Sequence, residues 1–98
     1  MKTIYKYPLK LEGFQEISIP MGAELLTVLE QNDFPVVYFR VDPTRENFYL
    51  EIRILGTGQP TEDDYLENST YLGTITTHSG RFVWHIFATR TMAWWRIE

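Results

Sequence analysis

The sequence predicts an all-β domain: an antiparallel sandwich or small barrel of about seven short strands with one short helical turn. Three observations lead to this class. Hydrophobic residues make up 44% and aromatic residues 15% of the 98 residues, which suffices for one packed core and one domain, residues 1–98. Apolar and polar side chains alternate along most of the chain, as in strands with one buried face. Turn residues recur about every 8–12 residues, a spacing typical of sandwiches.

The first half of the chain contains five of these candidate strands. "TIYKYPL" at 3–9 alternates until Pro8, which marks a strand end or an edge. "FQEISI" at 14–19 alternates and is followed by a "PMG" turn. "AELLTVLEQ" at 23–31 consists of good helix formers. The flanking turn signals leave it only about nine residues, which is short for a helix, so we predict a strand.

The next two segments are rich in residues that favour strands. "VVYFRV" at 36–41 is β-branched and aromatic, and "DPTREN" at 42–47 supplies turn chemistry. "FYLEIRIL" at 48–55 is the clearest strand. Its apolar face carries Phe48, Leu50, Ile52 and Ile54, and its other face carries Tyr49, Glu51 and Arg53.

The predicted helical turn lies in "PTEDDYLENS" at 60–69. Thr61 can cap it, and Asp64 follows at the spacing of a capping box. The acidic residues of this segment favour a solvated surface. They lack the alternating ligands and glycine of a calcium loop.

The last long segment, "YLGTITTHSGRFVWHIF" at 71–87, predicts a β-hairpin that turns at Ser79-Gly80. The predicted pairs are Thr77 with Phe82, Ile75 with Trp84, and Gly73 with Ile86. One face then carries Phe82, Trp84 and Ile86, and the opposite face carries Val83, His85, Phe87 and Leu72. Because both faces are apolar, the second strand is either central and covered on both sides or in contact with a partner.

Composition excludes several classes of protein. The net charge is −4 and no basic cluster is present, so we expect no general nucleic-acid binding. The chain has no cysteine, and His78 and His85 lack the spacing of a metal site. We therefore expect no metal, no cofactor and no enzymatic activity. The N-terminus lacks a signal peptide, and no segment approaches the ~20 apolar residues of a membrane span, which predicts a cytoplasmic protein.

The glycine loop in "ILGTGQP" at 54–60 has two interpretations. A phosphate-binding loop needs its glycines between a strand and a helix N-terminus, and this loop lacks the third glycine and the lysine of the known motifs. A structural turn is therefore favoured. The alternative is a small anion site. Its candidate residues are Arg53, Gly56, Thr57, Gly58 and Gln59.

The C-terminal segment "ATRTMAWWRIE" at 88–98 also has two interpretations. It either forms a last strand or wrap packed over the exposed face of His85 and Phe87 or contacts another chain. Tryptophan and arginine are enriched at binding hot spots. The candidate contact residues are Arg90, Met92, Trp94, Trp95 and Arg96, together with His85 and Phe87. The paired tryptophans and the second apolar face of the hairpin predict a homodimer.

Six short segments carry a resemblance to a known family. They are "IYKYPL" at 4–9, "IPMGAELLTV" at 19–28, "VDP" at 41–43, "GTG" at 56–58, "YLGT" at 71–74 and "FVWHIF" at 82–87. In this order they resemble a family of small proteins of unknown function encoded by bacteriophages and prophages. That family is expected to stop soon after the last of these segments, which would make residues 88–98 an extension.

The resemblance implies a phage origin and action in the cytoplasm of an infected bacterium, and it brings no catalytic residues. We expect a non-enzymatic binding protein that inhibits or adapts a host protein or defence system. One alternative is a protein that sequesters a nucleotide or another small phosphorylated ligand. Another is a minor structural or assembly protein of the phage particle.

Overall fold

The computed structural model describes residues 1–91 and 93–96, with the main chain alone for 95 and 96. Its strands are β1 (Thr3–Pro8), β2 (Phe14–Pro20), β3 (Ala23–Gln31), β4 (Phe34–Val41), β5 (Asn47–Gly56), β6 (Ser69–Thr77), β7 (Phe82–Thr89) and β8 (Trp94–Arg96). The first sheet has the order β1-β4-β3-β8 and the second the order β2-β5-β7-β6. The predicted all-β class is confirmed, and the architecture is an open sandwich.

The segment rich in helix formers, 23–31, is the strand β3, as predicted. It pairs with β4 through a turn at Asn32 and Asp33, whose φ angles are 53° and 67°. Both residues adopt the left-handed region that a two-residue hairpin turn requires, and asparagine and aspartate tolerate it best. Strand pairing therefore overrides the helical propensity of this segment.

The core lies between the two sheets and consists of one face of each strand. In β5, Leu50, Ile52 and Ile54 are at most 3% exposed, whereas Tyr49 is 72% exposed. The faces predicted for 48–55 are thus confirmed. In the first sheet, Val37, Phe39 and Val41 of β4 are buried.

The predicted hairpin register is confirmed at all three pairs, Thr77 with Phe82, Ile75 with Trp84 and Gly73 with Ile86. The strand β7 is central, between β5 and β6. The face predicted for Leu72 is wrong, because Leu72 is 2% exposed and belongs to the core. The register shifts between Tyr71 and Gly73, and the extra residue in such a bulge reverses the alternation of faces.

The segment predicted as a helical turn is a run of separate turns. The amides of Tyr65, Glu67 and Ser69 donate to carbonyls three residues earlier. These bonds occur at every second residue, whereas a helix needs them at successive residues. Along the described part of the chain, no helix is long and apolar enough to cross a bilayer.

Two hairpin tips, one from each sheet, meet at one end of the sandwich. The main-chain N–H of His78 donates to Asp33 Oδ1 at 2.9 Å. The β6–β7 tip is a tight turn of three residues in the left-handed region. Their φ angles are 53° for His78, 59° for Ser79 and 86° for Gly80. We call this end, with residues 32–33 and 78–81, the hairpin end.

Glu24 is a nearly buried carboxylate on the outer face of the first sheet, with 8% exposure. It accepts a hydrogen bond from Lys2 Nζ at 2.9 Å and another from Arg40 Nη1 at 3.5 Å. The Lys2 bond, opposed by partial burial, lowers the pKa of Glu24 below its ordinary value. Glu24 thus ties the N-terminus to β3 and β4.

We expect Glu24→Gln to lower the urea midpoint of unfolding at neutral pH, because a neutral amide cannot form ion pairs with the two cations. The folded pKa of Glu24 lies below the unfolded pKa. The stabilisation is therefore present above the unfolded pKa and is lost as pH falls through the folded pKa. Midpoints measured from about pH 7 down to about pH 3 should converge for wild type and variant. Glu62→Gln, at an exposed position, is the control, and a difference independent of pH would contradict the assignment.

Candidate functional site

Trp94, proposed above as a contact residue, is part of the core. It is 3% exposed, and its ring packs edge-on against Phe39 with 6.0 Å between centroids. Its Nε1–H donates to the carbonyl of Thr89 at 2.8 Å. The expectation that Trp94 meets another chain is wrong, because the chain crosses from β7 to the first sheet and inserts this indole between the sheets.

The structure describes only some of the other C-terminal candidates. Arg90 is exposed, and its amide donates to the carbonyl of Asn68. Met92 and the side chains of Trp95 and Arg96 lie outside the described residues, so their contact role stays a prediction. The main chain of 94–96 forms the parallel edge strand β8 beside β3. A last strand was expected, but its predicted place over His85 and Phe87 is wrong, because β8 joins the first sheet and β7 belongs to the second.

The outer face of β7 is half-buried at His85 and Phe87. The segment from Thr57 to Asn68 connects β5 to β6 and therefore has to pass β7, and its Tyr65 and Leu66 are half-buried as well. Phe87 also packs against the ring of Tyr71 at 5.3 Å. The buried Trp94 and the half-buried outer face of β7 thus weaken two of the grounds for the predicted homodimer. The side chain of Trp95 lies outside the described residues, so the homodimer stays a prediction.

His85 links the glycine loop to the second sheet. Its Nε2 lies 2.6 Å from Thr57 Oγ1 and its Nδ1 lies 2.9 Å from Thr74 Oγ1, which in turn bonds Tyr71 Oη. Threonine hydroxyls donate or accept, so they satisfy either tautomer of the ring. Among the described residues no carboxylate bonds the ring of His85, and the arrangement is that of a structural tether.

The glycine loop has the hydrogen bonds of a closed turn. The amide of Gly56 donates to Gln59 Oε1 at 3.1 Å, and the amide of Gln59 donates to the Gly56 carbonyl at 3.1 Å. The amide of Thr57 donates to Val83. Gly58, with φ of 85°, provides the left-handed position. Three of the four amides that an anion would need are therefore already used.

Arg53 does not complete an anion site at this loop. Its Nη1 donates to Thr89 Oγ1 at 3.0 Å, and its guanidinium lies between the rings of Phe14 and Tyr65, at 5.3 and 5.4 Å from their centroids. These stacking contacts hold Arg53 on the outer face of the second sheet. The predicted partnership of Arg53 with Gly56–Gln59 is not formed.

A groove of about 490 Å³ lies on the first sheet at the hairpin end. Its apolar wall consists of Pro8, Leu9, Phe34 and Val36. Its polar rim consists of Lys6, Lys10, Gln31 and Asn32. Phe34 is 50% exposed, and Leu29, opposite Val36 on β3, extends the apolar surface with 48% exposure. We call this site the lysine groove.

The charges around the lysine groove are unbalanced. Within the described residues neither Lys6 nor Lys10 forms an ion pair. The nearby carboxylates of Glu30 and Asp33 accept hydrogen bonds from main-chain amides of the two hairpin tips. The main chain of Lys10 is fixed by two hydrogen bonds with the side chain of Gln15. The groove therefore presents fixed apolar groups beside two unpaired cations.

A smaller recess of about 200 Å³ adjoins the glycine loop at the same end of the sandwich. It is lined by Gly56, Thr57, Arg81, Phe82, Val83 and Trp84. Trp84 is anchored by its Nε1–H, which donates to Thr77 Oγ1 at 2.9 Å. We call this site the arginine recess. Among the described residues, no three His, Asp or Glu side chains are placed to hold a metal ion.

Neither the lysine groove nor the arginine recess was predicted from the sequence. The groove combines residues from β1, the β3–β4 turn and β4, which are far apart along the chain. The available signals were Pro8 at a strand end and Phe34 directly after a turn. Their proximity depends on the pairing of β1 with β4, which local patterns do not reveal.

Residues 1–95 match the model of a family described as a domain of unknown function (DUF7352). The chain belongs to this family. The DUF7352 match reaches Trp95 and so includes most of β8, beyond residue 87, after which the resembled family was expected to stop. The DUF7352 chain matches no curated protein and no solved structure.

We expect Trp94→Ala to destabilise the DUF7352 domain by about 3–5 kcal/mol, since it removes a buried ring and leaves the Thr89 carbonyl without its donor. Trp94→Phe keeps most of the ring and should cost about 1–3 kcal/mol. Urea unfolding followed by circular dichroism measures both. Tyr49→Ala, at a site 72% exposed, is the control and should stay within about 0.5 kcal/mol of wild type. Equal stability of Trp94→Ala and wild type would contradict the burial of Trp94.

Proposed function

We propose that this chain is a non-enzymatic, phage-encoded binding protein that inhibits or adapts a protein of the bacterial host, and that it binds through the lysine groove. The observation that carries the proposal is the half-exposed ring of Phe34 beside two unpaired lysines. The phage origin and the cytoplasmic site of action are supported by the resemblance of the six segments named above. Family membership by itself assigns no function.

The apolar wall of the groove supplies binding energy. Phe34 and Leu29 are about half exposed in a chain that has a well-formed core, and covering an exposed apolar side chain of this size contributes roughly 1.5–3 kcal/mol. Aromatic residues surrounded by a polar rim are typical of binding hot spots. The matching partner surface therefore carries an apolar side chain that fits between Phe34 and Pro8.

The two lysines define the charge of the partner. The whole chain has a net charge of −4, so an acidic partner is repelled by most of the surface and attracted at Lys6 and Lys10. Such a local charge orients an approaching partner and raises the association rate at low salt. We infer that the host partner presents acidic residues around its apolar anchor.

We expect Phe34→Ser to lower partner affinity by at least ~10-fold while leaving stability nearly unchanged, because Phe34 is half exposed. Affinity capture from bacterial cells identifies the partner, and titration calorimetry with the purified partner measures the effect. Tyr49→Ser, on the outer face of the other sheet, is the matched control and should bind like wild type. Lys6→Glu with Lys10→Glu should weaken binding and reduce its dependence on salt.

Two results would count against this proposal. A captured partner that binds Phe34→Ser as tightly as wild type would remove the lysine groove as the site. Absence of any partner that is captured by wild type and Tyr49→Ser in repeated experiments would remove the binding function. Assay of the captured protein with and without the chain then separates an inhibitor from an adaptor.

The arginine recess supports a second candidate function, the sequestering of a small phosphorylated ligand. Arg81 has no ion-pair partner within the described residues, and Phe82 and Trp84 offer rings on which a base stacks. The anion-binding chemistry is that predicted for the glycine loop, with the guanidinium of Arg81 in place of that of Arg53.

We expect a ligand of this kind to raise the melting temperature of wild type, since ligand at ~100 times its dissociation constant adds ~2.7 kcal/mol of stability. A thermal-shift screen with nucleotides and cyclic nucleotides tests this. The shift should be lost in Arg81→Ala and kept in Arg90→Ala, whose arginine lies at the opposite end of the sandwich. No shift with any nucleotide at millimolar concentration would exclude the candidate. A place in the phage particle, the third candidate, is tested by mass spectrometry of purified virions.

A further inference from the structure

The strand β6 is an edge strand without the charged residues and prolines that usually protect edges. It spans nine residues, Ser69–Thr77, with no charged residue and no proline. The other long edge strands are protected: β1 carries Lys6 and Pro8, and β2 carries Glu16 and Pro20. Charged residues and prolines on an edge prevent pairing with another chain. Their absence makes β6 the edge most suited to accept a further strand.

The hydrogen bonds of β7 show which groups of β6 face the open edge. The amide of Thr57, which follows β5, donates to the carbonyl of Val83, so the main-chain groups of Val83 point toward β5. Main-chain N–H and C=O groups alternate in direction along a strand. The groups of Trp84 therefore point toward β6, where Trp84 pairs with Ile75. Thr74 and Thr76 consequently direct their N–H and C=O groups away from β7.

Among the turn and loop hydrogen bonds of the described residues, none reaches the main-chain groups of Thr74 or Thr76. The alternation along β6 leaves the bonds to β7 to their neighbours Gly73, Ile75 and Thr77. The side chains of Thr74 and Thr76 are exposed. The bulge at Leu72 lies before this stretch, and Gly73–Thr77 pairs regularly with β7. The edge therefore offers the unpaired main-chain N–H and C=O groups of Thr74 and Thr76, which are separated by one residue.

We propose that β6 pairs in antiparallel orientation with β6 of a second copy, about a two-fold axis at Ile75. This register places Thr74 of each copy opposite Thr76 of the other. Both residues direct their main-chain groups outward, so each such pair exchanges two hydrogen bonds. The pairing joins two four-stranded sheets into one continuous sheet.

The sequence of β6 favours a second copy as the occupant. Antiparallel self-pairing places equivalent residues near each other, so a charge anywhere near the axis would face its own copy. The strand has no charge to repel itself and none to attract an oppositely charged partner. Threonine pairs across strands are favourable by roughly 0.2–1 kcal/mol. A single strand pair covers less than the ~1,200 Å² of a stable interface, so we expect a weak dimer with a dissociation constant on the order of 10–100 µM.

Sedimentation equilibrium over a concentration series from about 5 to 500 µM tests the proposal. Wild type should change from monomer to dimer, and Thr76→Pro should remain monomeric throughout. Proline removes the outward N–H of residue 76 and is tolerated on edge strands, so the ladder with β7 stays intact. Thr76→Val keeps the N–H and the shape of the side chain and should dimerise like wild type. Near-UV circular dichroism checks that each variant is folded.

Amide exchange supplies a second readout on the wild-type chain. The amides of Thr74 and Thr76 should be protected at high concentration and exchange rapidly at low concentration. The amides of Gly73 and Ile75, which bond β7, should be protected at both. Protection of Thr74 and Thr76 that needs an added host protein instead of high concentration would overturn the proposal.

Two variants of opposite charge test the proposal even if Thr76→Pro fails to fold. Thr76→Lys and Thr76→Glu each place like charges across the axis at a diagonal separation of ~7–8 Å, so each alone should dimerise less than wild type. An equimolar mixture should form the mixed dimer. Wild type that stays monomeric at the highest concentration, a dimer unaffected by these variants, or a mixture that does not associate would each overturn the proposal.

Discussion

The close approach of β6 to β3 across the core sets the geometry of the rest of the molecule. Gly73 faces Val28, and a methyl group added to the glycine would lie 3.4 Å from Val28 Cβ. The bulge next to Gly73 turns Leu72 into the core. Because these strands touch, their hairpin tips arrive at the same end of the sandwich, where Asp33 bonds the amide of His78. The lysine groove and the arginine recess both lie at that end.

The glycine loop and the lysine groove differ in how many of their polar groups are free to bind a ligand. In the glycine loop, most amides bond within the loop or to β7, and Thr57 also bonds His85. The lysine groove combines half-exposed apolar residues with cations that lack ion-pair partners in the described structure. Protein recognition needs apolar area and complementary charge, and anion recognition needs free donors. We therefore favour the lysine groove over the glycine loop as the site of the proposed function.

Much of the fold was predictable from the sequence, because an alternating pattern and a tight turn together determine the register of a hairpin. The pairs around Ser79-Gly80 and the faces of β5 depend only on such local signals. The position of Leu72 was not predictable, because a bulge inserts one residue without a distinct sequence signal. The burial of Trp94 and the assembly of the lysine groove depend on contacts between distant segments, which no local pattern contains.

The parallel pairing of β8 with β3 has a consequence for the kinetics of folding. Trp94 pairs with Ala23, so most of the chain has to be enclosed in a loop before this contact forms, and such contacts form late. We expect the indole to be largely unpacked in the transition state for folding. Its loss should then accelerate unfolding far more than it slows folding, which stopped-flow denaturant jumps would measure. In that case this tryptophan governs the lifetime of the native state, whereas the hairpins formed earlier govern how fast it is reached.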